Sequence, residues 1–194
     1  MKQGFVKVAA VTPDIRVADV EFNKEQICRK MDEAAASGAK IIVFPELCVT
    51  GYTCSDLFTQ DVLLDHAREV LTDIAAHTRD MDALVFVGAP LAVDGELYNV
   101  AVAMNHGKIL GLTTKTFLPN YGEFYEMRQF REGPEKASEI EFDGEMVPFG
   151  PKILFAAKQM EHLIVAAEIC EDVWSPVPPS IEAVREGATV IVNC

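Results

Sequence analysis

The stretch Leu163–Trp174 reads LIVAAEICEDVW. Leu163 to Ile169 is short, apolar on both faces and rich in Val, Ile and Ala, the pattern of a strand buried on both sides. Glu168 interrupts the run one residue before it ends. Cys170 follows where such a strand leaves its sheet, and two acids, Glu171 and Asp172, come next. Open α/β sheets place their ligands outside the carboxyl ends of the strands. A free cysteine is also a common small core residue. On this stretch alone, Cys170 is open to both readings.

Outward from it, the chain alternates strands and helices. Upstream, Ile153–Ala157 pairs with Leu163–Ile169 across a charged turn near Gln159. Downstream, Pro178 and Pro179 precede a short helix over Ser180–Glu186, and Gly187 ends it ahead of a strand at Thr189–Asn193. The N-terminal half predicts a strand at Phe5–Val11. A helix follows, with Asn23 as N-cap and Gln26 at the capping-box position, closed by Gly38. Ile41–Phe44 is a short buried strand broken by Pro45. The spacing predicts a second helix over Asp61–Arg79, with Val62, Leu63, Ala67, Val70, Leu71, Ile74 and Ala75 toward the core. Leu84–Gly88 is a further strand, and Asn105-His106-Gly107 joins Tyr98–Met104 to Lys108–Thr114 in a hairpin. Residues 116–150 show weak periodicity and read as a long functional loop. The expected class is α/β.

Bulk properties exclude several functions. The 194 residues suit one domain with a substantial core, and mean hydropathy is +0.14. A net charge of −13 argues against nucleic acid and anionic membrane as partners, since both need a basic footprint. No apolar run reaches the roughly eighteen residues of a membrane span. Five cysteines form no CxxC pair, and no signal peptide precedes them. They read as reduced thiols in a cytoplasmic protein. GxSxG, HExxH, Walker A and GxGxxG motifs are absent. The sequence stops just after an apolar strand, so it is expected to be part of a longer protein.

Three strand ends carry complementary chemistry. Glu46 follows Ile41–Phe44 in FPELCVTGY, Lys115 follows Lys108–Thr114 in KTFLPNYGEFYE, and Cys170 follows Leu163–Ile169. If these strands share a sheet and a direction, all three side chains emerge at one edge. A carboxylate there takes the thiol proton, and an ammonium stabilises an oxyanion and favours thiolate. None of His66, His77, His106 or His162 clusters with Cys170, so a base for it must be a carboxylate. Singly, the favoured readings are Glu46 as a solvated loop acid and Lys115 as an edge-strand lysine; together, the three strand ends argue against them.

As a set, the three stretches resemble the nitrilase (carbon–nitrogen hydrolase) superfamily. GYTCSDLF after Glu46, and LPNYGEFYE followed by Arg128, Phe130 and Gly133-Pro134, are similar to its glutaminase branch. That branch is the N-terminal domain of glutamine-dependent NAD+ synthetases. The resemblance implies an αββα sandwich, with residues 1–194 forming one incomplete glutaminase domain that lacks its C-terminal part. It implies Glu46 as general base, Cys170 as nucleophile forming a glutamyl thioester, and Lys115 with the Glu171 backbone N–H as oxyanion donors. Glu123, eight residues after Lys115, takes the place of the family's second glutamate. Tyr121, Tyr52, Glu171 and Trp174 would line the glutamine pocket. The implied partners are L-glutamine, further copies of the chain and a synthetase domain of the same parent. No cofactor is expected for the glutaminase segment; ATP and Mg2+ belong to the synthetase domain absent here. The alternatives are a stand-alone carbon–nitrogen hydrolase of the ω-amidase or carbamoyl type, and a non-catalytic fragment.

Overall fold

Successive residues of a strand face opposite ways, and in this chain both faces of the central strands are apolar. The computed structural model describes residues 4–194. Its strands are β1 (Val8–Ala10), β2 (Ile41–Val43), β3 (Leu84–Val93), β4 (Glu96–Asn105), β5 (Lys108–Thr114), β6 (Ser138–Phe142), β7 (Glu145–Gly150), β8 (Leu154–Ala156), β9 (Ile164–Glu168) and β10 (Val190–Asn193). The helices are α1 (Val20–Ala36), α2 (Asp61–His77) and α3 (Pro179–Arg185), with 3-10 segments at Tyr52–Thr59, Glu126–Arg128 and Cys170–Trp174. β1 to β7 form one sheet in the order β1-β2-β3-β4-β5-β7-β6, and β10-β9-β8 form a second.

Alternation then sets the layers. Ile42, Val85, Val87, Val100 and Val102 pack with Ile27 and Met31 of α1 and Leu71 and Ile74 of α2. Their neighbours Ile41, Phe86, Ala101 and Ala103 face the other way, onto Phe155, Val165, Ala167 and Val192 of the second sheet. The far side of that sheet, at Ala166, meets Ala183 and Ala188 in and after α3. The result is helix, sheet, sheet, helix: an αββα sandwich. Small residues bring the two sheets close, since a Cβ on Gly111 would lie 3.1 Å from the Phe155 ring. Phe155 meets Phe86 edge-on at 5.5 Å. Each large apolar side chain buried in these layers contributes about 1.5–3 kcal/mol.

Several expectations are corrected. The three strands ahead of Glu46, Lys115 and Cys170 do not share one sheet. β2 and β5 run in the same direction in the larger sheet, while β9 belongs to the smaller. Asn23 is not a helix cap. Asp19 is the N-cap, accepting from Phe22 N–H at 3.2 Å. The buried Asn23 side chain instead ties Arg16 to the carbonyl of Val49, 3.0 Å away in the loop after Glu46. Val62, in the first turn of α2, is 77% exposed. Residues 116–150 are not all loop: they end in the β6–β7 hairpin. That hairpin turns on Asp143-Gly144, and β3–β4 turns on Asp94-Gly95. Both pairs have positive φ at each residue, as does His106-Gly107, the geometry that matches strand twist across a two-residue turn.

Candidate active site

Glu46 sits in a tight turn between β2 and the 3-10 segment that begins at Tyr52. The turn lies directly on β3. A Cβ on Gly88 would come within 2.4 Å of the Pro45 carbonyl and 2.7 Å of Glu46 Cα, so only glycine fits. The Val49 N–H closes the turn onto the Gly88 carbonyl at 3.2 Å. Leu47 takes φ +50°, a left-handed conformation unusual for a branched side chain.

Lys115 directly follows β5 and is fully buried. Its backbone N–H donates to the Asn99 carbonyl of β4 at 2.9 Å, and its own carbonyl accepts from Gly133 N–H at 2.8 Å. Its ammonium donates to Glu46 Oε1 at 2.6 Å and to Glu126 Oε1 and Oε2 at 2.7 and 2.9 Å. Burial alone would depress the ammonium, but the two carboxylates outweigh it and hold Lys115 above its usual range. Burial, then the Glu46 charge, pushes Glu126 up despite its bonds to Lys115 and Tyr52. One positive charge thus stands between two carboxylates in a dry setting.

Cys170 opens the 3-10 turn that follows β9 and is exposed, unlike the lysine behind it. Its φ is +42°. Backbone strain of this kind persists only where the surroundings over-determine it. Here the Cys170 N–H donates to Asn193 Oδ1 and to the Cys194 carbonyl, both at 3.0 Å. The Cys170 thiol lies beside the Glu46 carboxylate, near enough to feel that charge and the Lys115 ammonium. Partial burial, then the carboxylate's negative charge, pushes the thiol up to about 11.

Asp172 joins the two sheets at this point. Its Oδ1 accepts the backbone N–H groups of Thr116 and Phe117, just past Lys115, at 3.0 and 2.8 Å. Oδ2 accepts the N–H of Ile169, just before Cys170, at 3.0 Å. Burial raises its carboxyl to about 6 against those three donors. The clip fixes the lysine's strand end against the cysteine's.

The structure therefore brings Glu46, Lys115 and Cys170 together. Glu123 does not join them. It is exposed beside Tyr52 and Tyr125, and Glu126, eleven residues after Lys115, takes the place against the ammonium. Between the two acids of GEFYE, spacing gave no reason to choose the second. Tyr52 is half-buried and donates to Glu126 Oε1 at 2.8 Å. Tyr121 donates to Glu171 at 2.9 Å on the exposed rim. Trp174 is 77% exposed and does not line a closed pocket. Asn99, Asp172 and Asn193 were not singled out from sequence. For the two asparagines, the one available signal was a polar residue inside or at the end of a buried strand.

The carbon-nitrogen hydrolase family model matches residues 7–194. The chain belongs to the carbon-nitrogen hydrolase family. Among curated relatives, the glutamine-dependent NAD(+) synthetase of Mycobacterium leprae is 40% identical over 191 residues, 98% of this chain and 28% of that protein. The corresponding Aquifex aeolicus protein is 37% identical over 91% of this chain and 28% of its own length. The crystal structure of a glutamine-dependent NAD(+) synthetase from Cytophaga hutchinsonii superposes with a TM-score of 0.84 at 30% identity, over 97% of this chain and 30% of that one. This carbon-nitrogen hydrolase chain thus spans under a third of the length of these relatives. Among its described residues, no helix is long and apolar enough to cross a membrane.

Proposed function

We propose that this domain hydrolyses the side-chain amide of glutamine through a cysteine thioester. The observation that carries the reading is the buried Lys115 ammonium held between Glu46 and Glu126, with the Cys170 thiol beside Glu46. The thiol is neutral at rest, so the nucleophile is generated in the step itself. Glu46 takes the S–H proton as sulfur bonds to the amide carbon and the carbonyl π pair moves to oxygen. Lys115 and the Glu171 backbone N–H, in the first turn after Cys170, face that developing charge. As the adduct collapses, Glu46 returns the proton to nitrogen, the C–N bond breaks and ammonia leaves. Water then attacks the thioester, gives its proton to Glu46 and releases glutamate and the thiol.

Glutamine is the substrate that the relatives' names support. The Tyr121–Glu171 pair on the rim offers a carboxylate for its α-ammonium. In the whole protein, the ammonia would serve an ATP- and Mg2+-dependent synthetase domain that amidates nicotinic acid adenine dinucleotide to NAD+. Free thiols at all five cysteines suit a cytoplasmic setting. Exposed Trp174, Val177, Ile181 and Val184 give an apolar surface for the family's self-association.

The test compares ammonia release from glutamine with release from ω-amides, carbamoyl compounds and simple aliphatic amides. Preference for glutamine is expected. A clear preference for another amide would move the domain to the stand-alone hydrolases. Failure of a glutamine-mimicking electrophile to label Cys170 in folded protein would remove the catalytic reading.

A further inference from the structure

Glu46 Oε1 receives two donors. One is the Lys115 ammonium at 2.6 Å; the other is Asn99 Nδ2, also at 2.6 Å. Among the described residues, no N–H donor reaches Oε2. Asn99 lies on β4, next to β3 and β5, and its backbone carbonyl holds the Lys115 N–H. The residue is 1% exposed. Its amide is oriented by charge: turned over, Oδ1 would face a carboxylate oxygen. That orientation leaves Oδ1 buried with no hydrogen-bond partner. An unpaired buried polar group costs about 1–3 kcal/mol. A residue that only filled the core would not carry that cost, because leucine has nearly the same shape and none of the penalty.

We propose that Asn99 is a positioning residue for Glu46: with Lys115 it occupies Oε1, and so turns Oε2 toward the Cys170 thiol as the proton acceptor. The inference rests on the reading of Glu46 as the base. Lys115 alone does not set this geometry, because its ammonium is shared with Glu126 and, as a compact point charge, imposes no plane on the carboxylate. A planar amide on a central strand fixes the carboxylate's direction. The S–H bond breaks as O–H forms on Oε2, and the same proton later leaves Oε2 for the departing nitrogen. Oε1 keeps its two donors throughout, so the carboxylate does not rotate between the two transfers.

Asn99→Leu in the full-length protein tests this. It removes the donor and the unpaired Oδ1 together and keeps the branch at Cγ. The expected result is a fall in kcat for glutamine hydrolysis on the order of a hundredfold, the scale for a misplaced reacting group. KM should stay within about twofold and the melting temperature should be unchanged or higher. Asn99→Asp, which sets a second carboxylate against Glu46, should lose at least as much kcat. Wild-type kcat in Asn99→Leu would overturn the proposal, as would a kcat loss accompanied by a lower melting temperature. Glu46→Gln serves as the control on the premise. If it retains activity, the base assignment falls. If it is inactive while Asn99→Leu keeps wild-type kcat, only the role of Asn99 falls.

Discussion

At Cys170, one neighbour has two opposed effects. The Glu46 charge helps raise the thiol to about 11, so almost no thiolate exists near neutral pH. In the proposed mechanism, the same carboxylate is the acceptor that forms thiolate during attack. Glu46→Gln separates the two effects. Removing a negative charge beside an acid favours its ionised form, so the thiol's titration midpoint should fall below about 11. Amide hydrolysis should be abolished, because the proton has no acceptor. Thiolate absorbance against pH reads the first effect and ammonia release the second. A midpoint that stays at about 11 would assign the shift to burial alone. Lys115→Ala should lower kcat by at least about a hundredfold, the scale for losing an oxyanion donor. It also leaves Glu46 and Glu126 facing each other, and a shared proton there would neutralise the base. The meeting of Glu46, Lys115 and Cys170 was legible in sequence because acid, amine and thiol each end an apolar strand. Glu126 was not, because two acids three residues apart in an irregular loop differ only in which one the backbone turns inward. Asn99 was hidden for a related reason: a strand shows the side a residue takes, not the loop that crosses over it.

For single elements, the turn that carries Glu46 depends on a neighbouring strand. Gly88 sits in mid-strand with no turn to explain it, and its missing Cβ is the space that the Pro45–Glu46 backbone occupies. Gly88→Ala should therefore lower stability by about 1–3 kcal/mol, the range for forcing a methyl into packed surroundings. It should also reduce glutamine turnover more than Lys108→Ala, a substitution on the solvent-exposed end of β5. Denaturant melts and ammonia release would show both. Equal turnover in the two variants would mean that the turn re-forms around the methyl. Most elements were readable from period and breakers, although β3 runs on to Val93, well past the predicted end at Gly88. The β6–β7 hairpin was missed although Asp143-Gly144 marks it. Its strands alternate charged and apolar residues in short runs, such as Ser-Glu-Ile-Glu-Phe, and weak hydrophobicity masked a clear turn signal. The clip by Asp172 had no local signal, since its three donors come from two separate strand ends.

Across the molecule, the layering was legible while the partition of strands between sheets was not. Both-face apolar strands announce a sheet covered on each side. Whether the cover is a helix or another sheet depends on residue size at facing positions, here Ala101, Ala103 and Gly111 against Phe155. That second sheet delivers Cys170 to a site otherwise built by the first, and places its thiol outermost. The burial of the five thiols follows. Cys48, Cys54 and Cys194 are buried, Cys28 is intermediate and Cys170 is exposed. Burial raises both Cys28 and Cys170 to about 11, so their thiolate fractions are similar. Acidity cannot then separate them, and access and the adjacent base decide. Limiting iodoacetamide on the native protein should alkylate Cys170 first and Cys28 more slowly. The three buried thiols should react only on unfolding. Peptide mapping by mass spectrometry reads the order directly. In Cys170→Ala, the fast phase should vanish with the slower ones unchanged. Labelling of Cys28 ahead of Cys170 would mean that the turn after β9 does not present its sulfur to solvent, and the proposed attack on an amide would lose its nucleophile.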